Sequence, residues 1–206
     1  MRYIQSWSGG KDSSCSIVLE HMYRDELKIP PSTIVMAEVM FDNKRGISGE
    51  MPDHMEWVHT VAKPTFESWG HEVIIKRSEK DFMGCFYHVV ENSKEHPERN
   101  GKYSGFPVGG GCVIMRDLKV KTIRQIRKEY IREDTVEFIG IAADEVTRRG
   151  QLNAMKRSLL CEYGVHEIDT YKILRPYNLL SPVYAYSKRG GMLVLPESIL
   201  PSIIVA

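Results

Sequence analysis

The apolar positions of this chain recur with two different spacings, and the spacing changes several times from end to end. RYIQSW, residues 2–7, is an apolar-tending run that reads as a first strand. From 12 to 24 the spacing becomes helical, with Cys15, Val18, Leu19 and Met22 on one face. STIVMAEVMFD, 32–42, is nearly continuous apolar sequence, as expected of a strand covered on both faces. Met55, Val58, Ala62, Phe66 and Trp69 then step by three or four, which predicts a helix. Pro64 should kink or break that helix, and Gly70 should end it.

Strands are predicted again at HEVIIKRS (71–78) and within EDTVEFIGIAADE (133–145). Leu152, Met155, Leu159 and Tyr163 suggest a further helix stopped by Gly164. Residues 92–111 are polar and rich in glycine and proline, and read as a long loop. A helix resumes over 112–130 through Met115, Leu118, Thr122, Ile126 and Tyr130. From about Tyr171 the period is lost, so irregular structure is expected, with one short strand near TYKIL. The alternation predicts an α/β fold: a doubly wound, mainly parallel sheet of about five strands. It fits one domain over 1–206, with 171–206 as an irregular C-terminal extension.

The candidate chemistry sits where the first strand meets the first helix, in SGGKDS (8–13). The first amides of a helix lack partners within it, and the helix dipole adds positive character there. Gly9 and Gly10 let a phosphate approach the backbone without a Cβ in the way. Lys11 supplies a mobile charge, and the Ser8 and Ser13 hydroxyls can donate. Asp12 fits either a magnesium partner or a helix cap. The Walker A pattern GxxxxGK[ST] is absent.

SGGKDS resembles the pyrophosphate-binding loop of the PP-loop ATP pyrophosphatases. Three further stretches resemble the branch related to phosphoadenylyl-sulfate (PAPS) reductase. They are GCVIMRDLKVKTI (111–123), GIAADEVTRR (140–149) and NLLSPVYAYSKRGG (178–191). The resemblance implies an adenine nucleotide, ATP or a relative, at the carboxyl edge of the sheet. It implies backbone contacts to adenine near Val39, Met40 and Phe41. Phe41 is either a stacking face or a plain core aromatic. Arg148 and Arg149 would clamp phosphate or a second anionic substrate, while Asp144 and Glu145 would join Asp12 around Mg2+. Lys119 and Arg189 match family positions, and Gly109–Gly111 suits an anion nest or a hinge. Lys11, Asp12, Arg148 and Arg149 are the candidate catalytic residues.

The departures from that family bear on the chemistry. Cys15, Cys85, Cys112 and Cys161 form no close pair, so no iron–sulfur cluster is expected. Where the late motif would carry cysteines, this chain has Met192 and Leu195. Cys112, at a helix start, is the remaining nucleophile candidate. The histidines read as surface or singly bonded residues. The net charge of +1 gives no indication of nucleic acid and does not exclude it. No apolar run is long enough for a membrane, and reduced thiols fit a cytoplasmic protein. A homo-oligomer stays open. Three functions follow from these readings. The first is ATP cleavage between the α and β phosphates, which adenylylates an unidentified acceptor. The second is sulfonucleotide reduction or sulfur transfer, and the third a non-catalytic nucleotide-binding module.

Overall fold

The structure, a computed structural model, describes residues 1–105 and 114–187. Among them six strands form one sheet. They are β1 (Arg2–Trp7), β2 (Thr33–Asp42), β3 (Ile47–Ser48), β4 (Val73–Asp81), β5 (Thr135–Ile139) and β6 (Lys156–Arg157). The parallel part runs in the order β4-β2-β1-β5-β6. β3 adds two residues antiparallel to the far end of β2. The chain winds outward from β1 through β2 to β4, then returns to the other side of β1 for β5 and β6. The winding therefore reverses between β1 and β5, where open α/β sheets hold their ligands.

In chain order the helices are α1 (Lys11–Met22), α2 (Arg24–Leu27), α3 (Pro52–Trp57), α4 (Lys63–Ser68), α5 (Phe82–Phe86), α6 (Lys121–Tyr130), α7 (Val146–Arg149), α8 (Leu159–Glu162) and α9 (Asp169–Leu174). Side chains alternate across β1 and β2. Trp7, Ile34 and Met36 face the main core, where Val18 of α1, Phe66 of α4 and Leu174 of α9 meet them. Ile4 and Val35 face the opposite layer and pack with Ile126 of α6. The Trp7 indole stands edge-on to Phe66 and donates its N–H to Ser14 Oγ at 3.0 Å.

Buried polar pairs fix how α1 lies on the sheet. Gln5 donates to the Glu20 carboxylate at 2.8 Å, and Glu20 also accepts from the Ser32 amide and hydroxyl. Such buried acceptors are tolerated because each has partners. None of the described helices is long and apolar enough to cross a membrane.

Several local expectations need correcting. Met22 was expected on the buried face of the first helix but is exposed at its end, whereas Cys15, Val18 and Leu19 are buried. Pro64 does not break its helix. A π-helical segment, Val58–Ala62, precedes it, and α4 continues through it. A proline ring clashes with the carbonyl four residues back, and the wider π turn relieves that crowding.

The helix expected over 152–163 exists only as α8. Met155 packs against the core from a turn, and Lys156 and Arg157 pair with β5 as an edge strand. Ser158 caps α8 by accepting from the Cys161 amide. The strand expected near TYKIL is helix α9, whose Thr170 and Leu174 are buried one turn apart. The helix read over 112–130 is π-helical over Ile114–Val120 and then becomes α6. Cys112, Gly109–Gly111, Arg189, Met192 and Leu195 lie outside the described residues.

Candidate functional site

The turn between β1 and α1 lies at the reversal in winding. Gly9 has φ of 72°, and a Cβ there would sit 2.4 Å from the His54 ring. The backbone angle and the close approach both call for glycine. Gly10 is the N-cap of α1 and offers no side-chain cap. On the other side, Gly140 follows β5, and a Cβ at that position would lie 2.5 Å from Ser13 N. The end of β5 is thus pressed against the first turn of α1.

Within the turn, the Ser8 amide donates to Ser13 Oγ at 3.2 Å, and Ser13 Oγ donates to the Gly10 carbonyl at 3.0 Å. The Lys11 amide donates to the Tyr184 hydroxyl at 2.9 Å. Tyr184 belongs to a short 3-10 turn, Pro182–Ala185, so the late segment reaches back to the start of α1. The Lys11 ammonium is tied to two carboxylates. It is buried and donates to Asp12 at 2.9 Å and to Glu167 at 2.7 Å. Burial works to lower the Lys11 pKa, but the bonds to Asp12 and Glu167 outweigh it and leave it raised. Asp12 is also raised, by burial first, against the lowering effect of Lys11. Its carboxylate therefore holds Lys11 and does not cap the helix.

A cavity of about 310 Å³ opens beside this turn, between the sheet and the helical stretch leading into α6. At the strand ends its border is polar, with Gly10, Asp12, Glu50, His54, Lys119 and Tyr184. Further back along β1 and α6 it is apolar, with Ile4, Val35, Ile126 and Ile131. Ser8 borders it as well. His54 is buried and bonds Ser181 Oγ at 2.7 Å through Nδ1. Burial pulls its pKa down to about 4, so the ring is neutral at pH 7. Glu50 is 8% exposed, and burial pushes its carboxyl up to about 7, against the opposing pull of Lys119.

The structure brings together Ser8, Gly10, Asp12 and Lys119 around one cavity. Gly9 and Ser13 shape the turn from behind. The residues after β5 lie beside this group but do not border the cavity. Asp144 accepts from the Glu167 amide, and Glu145 accepts from the Ala142 amide and pairs with Arg148. Arg149 turns to the Ala143 carbonyl. Met40 and Phe41 are also absent from the border. The Met40 amide donates to Ser78 Oγ, and Phe41 stacks on Phe82 with ring centres 5.2 Å apart.

Sequence reasoning missed Glu50, His54 and Tyr184. A glycine at position 9 was the one signal that some bulky group had to lie close, but it could not say which. No described cysteine borders the cavity. Burial pushes the Cys15 thiol up to about 12, and Cys161 donates to the Ile141 carbonyl.

No family model and no curated protein matches the chain. Among solved structures it is similar to the crystal structure of PAPS reductase from Candida auris, a phosphate complex. The TM-score is 0.58 at 11% identity, over 93% of this chain and 81% of that one. The mainly parallel α/β sheet thus belongs to a fold that this chain shares with a PAPS reductase.

Proposed function

We propose that the chain is an enzyme that binds the polyphosphate of ATP at Gly9–Ser13 and cleaves it between the α and β phosphates. The observation that carries this reading is the cradle itself. A left-handed glycine with no room for a Cβ opens a 12-residue helix at the winding reversal, facing a cavity with Asp12 and Lys119 on its rim. The solved PAPS reductase of the same fold is itself a phosphate complex, which supports anion binding here. The apolar back wall, with Val35 and Ile126, suits a flat base better than the occupied stack at Phe41.

In this scheme an acceptor oxygen attacks the α-phosphorus. The new O–P bond forms as the bridge to the β-phosphate breaks, and its electron pair leaves with pyrophosphate. The first amides of α1, with Lys11 and Lys119, offset the charge that builds on the leaving group. A second nucleophile then displaces AMP from the adenylylated acceptor. No group of three or more metal-ligating side chains exists among the described residues. Magnesium usually takes one or two carboxylates plus substrate phosphates, and Asp12 meets that need. When bound, the ion would neutralise phosphate charge.

Lys11→Met should weaken ATP·Mg binding by about 10- to 100-fold in calorimetry, the loss expected for a charge-assisted contact. AMP and pyrophosphate should appear in equal amounts once the acceptor is supplied. Unchanged affinity in the variant overturns the reading. Sulfonucleotide reduction is the second reading, favoured by the fold match to a PAPS reductase. The absence of a described cysteine at the cavity counts against it. Preference for PAPS over ATP, with sulfite released in a thiol-dependent way, would establish it instead.

A further inference from the structure

Glu50 is the one cavity-lining carboxylate that no other site feature uses. It follows β3 and precedes α3, and the same cavity holds Gly10, Asp12 and Lys119. Its side chain is more than nine-tenths buried, yet no hydrogen bond to its carboxylate exists among the described residues. Its oxygens are not sealed off from the cavity either. Other charges in and beside this cavity are already committed. Lys11 is held by Asp12 and Glu167, and Arg127 pairs with Glu137. Lys119 makes no ion pair among the described residues, and its charge is the one that favours an ionised Glu50.

An incoming polyphosphate changes this balance. It brings negative charge close to a buried carboxylate, and it draws Lys119 toward itself. Both effects favour the protonated acid. A protonated carboxyl also gains an O–H that can donate to a phosphate oxygen, where an ionised one only repels.

We propose that Glu50 is a nucleotide-binding residue that takes up a proton from solvent when the polyphosphate enters, and donates that proton in a hydrogen bond to it. The inference rests on the reading of the site given above. Lys119 from the π-helical segment and Glu38 from β2 act on Glu50 by charge, and Asp12 from α1, His54 from α3, Arg127 from α6 and Tyr184 from the late turn line the same cavity. Glu38 adds to the push toward protonation. Neutral His54 and Tyr184 do not oppose it. Lys119 is the cation the ligand recruits.

The probe is ATP with magnesium, titrated calorimetrically in two buffers of different ionisation enthalpy, PIPES and Tris. After correction for the nucleotide's own titration, the native chain should take up roughly half a proton per nucleotide at pH 7, and more at pH 8. Glu50→Gln, isosteric and still a donor, should bind ATP with that uptake gone, and its affinity should stop falling as pH rises from 6 to 8. Should the variant fail to fold, the native chain still decides: uptake must rise between pH 5.5 and 8, and a flat profile overturns the proposal. Equal uptake in the native chain and a folded variant overturns it too. No ATP binding by the native chain overturns the reading of the site, and this inference with it.

Discussion

Glu50 and His54 are four residues apart, and both are buried beside the same turn, yet burial moves them in opposite senses. The carboxyl is raised to about 7 and the imidazole lowered to about 4, so both favour their neutral forms. For Glu50 the folded state holds a proton that the unfolded chain gives up near 4.5. Its contribution to stability is therefore full below that pH and is lost as pH rises through 7. Glu50→Gln removes this loss. In urea titrations the variant should match the native chain at pH 4.5 and exceed it by about 3 kcal/mol at pH 8. A constant difference across that range would contradict the burial argument. None of this was legible beforehand. A glutamate in SGEMP and a histidine in PDHMEW carry no local mark of burial, because what buries them comes from elsewhere in the chain.

At the scale of elements, the most readable parts were those whose spacing is explained by contacts close in sequence. The run from β1 through the glycines into α1 needs only its own pattern. β2 announced its two covered faces by being apolar throughout. The stretch from Leu152 to Tyr163 misled because Met155 packs inward from a turn, and so mimics a helical step. The late segment around Tyr184 was unreadable for a different reason. Its partners are Lys11 and His54, far away in sequence, and no local period records them.

Two element contacts can be tested. Gly140→Ala forces a methyl against the backbone of Ser13, so the end of β5 must move off α1. The variant should lose roughly 1–3 kcal/mol of stability, and its ATP affinity should fall as the turn distorts. Tyr184→Phe removes the hydroxyl that accepts from the Lys11 amide. It should cost about 1 kcal/mol without ligand and bind ATP a few-fold tighter, because a phosphate oxygen no longer competes for that amide. Weaker binding would instead make Tyr184 a direct phosphate partner.

On the scale of the whole molecule, the order β4-β2-β1-β5-β6 sets where chemistry can occur. The winding reverses between β1 and β5, and the cavity opens beside the end of β1, between the sheet and the helical stretch leading into α6. The α/β class followed from the alternation of elements. The cavity's composition did not, since it draws on five separate segments. One consequence belongs to Trp7. Trp7 borders the cavity at the end of β1, its N–H is tied to Ser14 in the first helix, and Phe66 and Trp57 lie against its ring in the main core. The chain therefore carries its own optical gauge of occupancy. With Trp57 and Trp69 replaced by phenylalanine, the remaining indole emission should change in step with added ATP, and the titration would report binding without any attached dye.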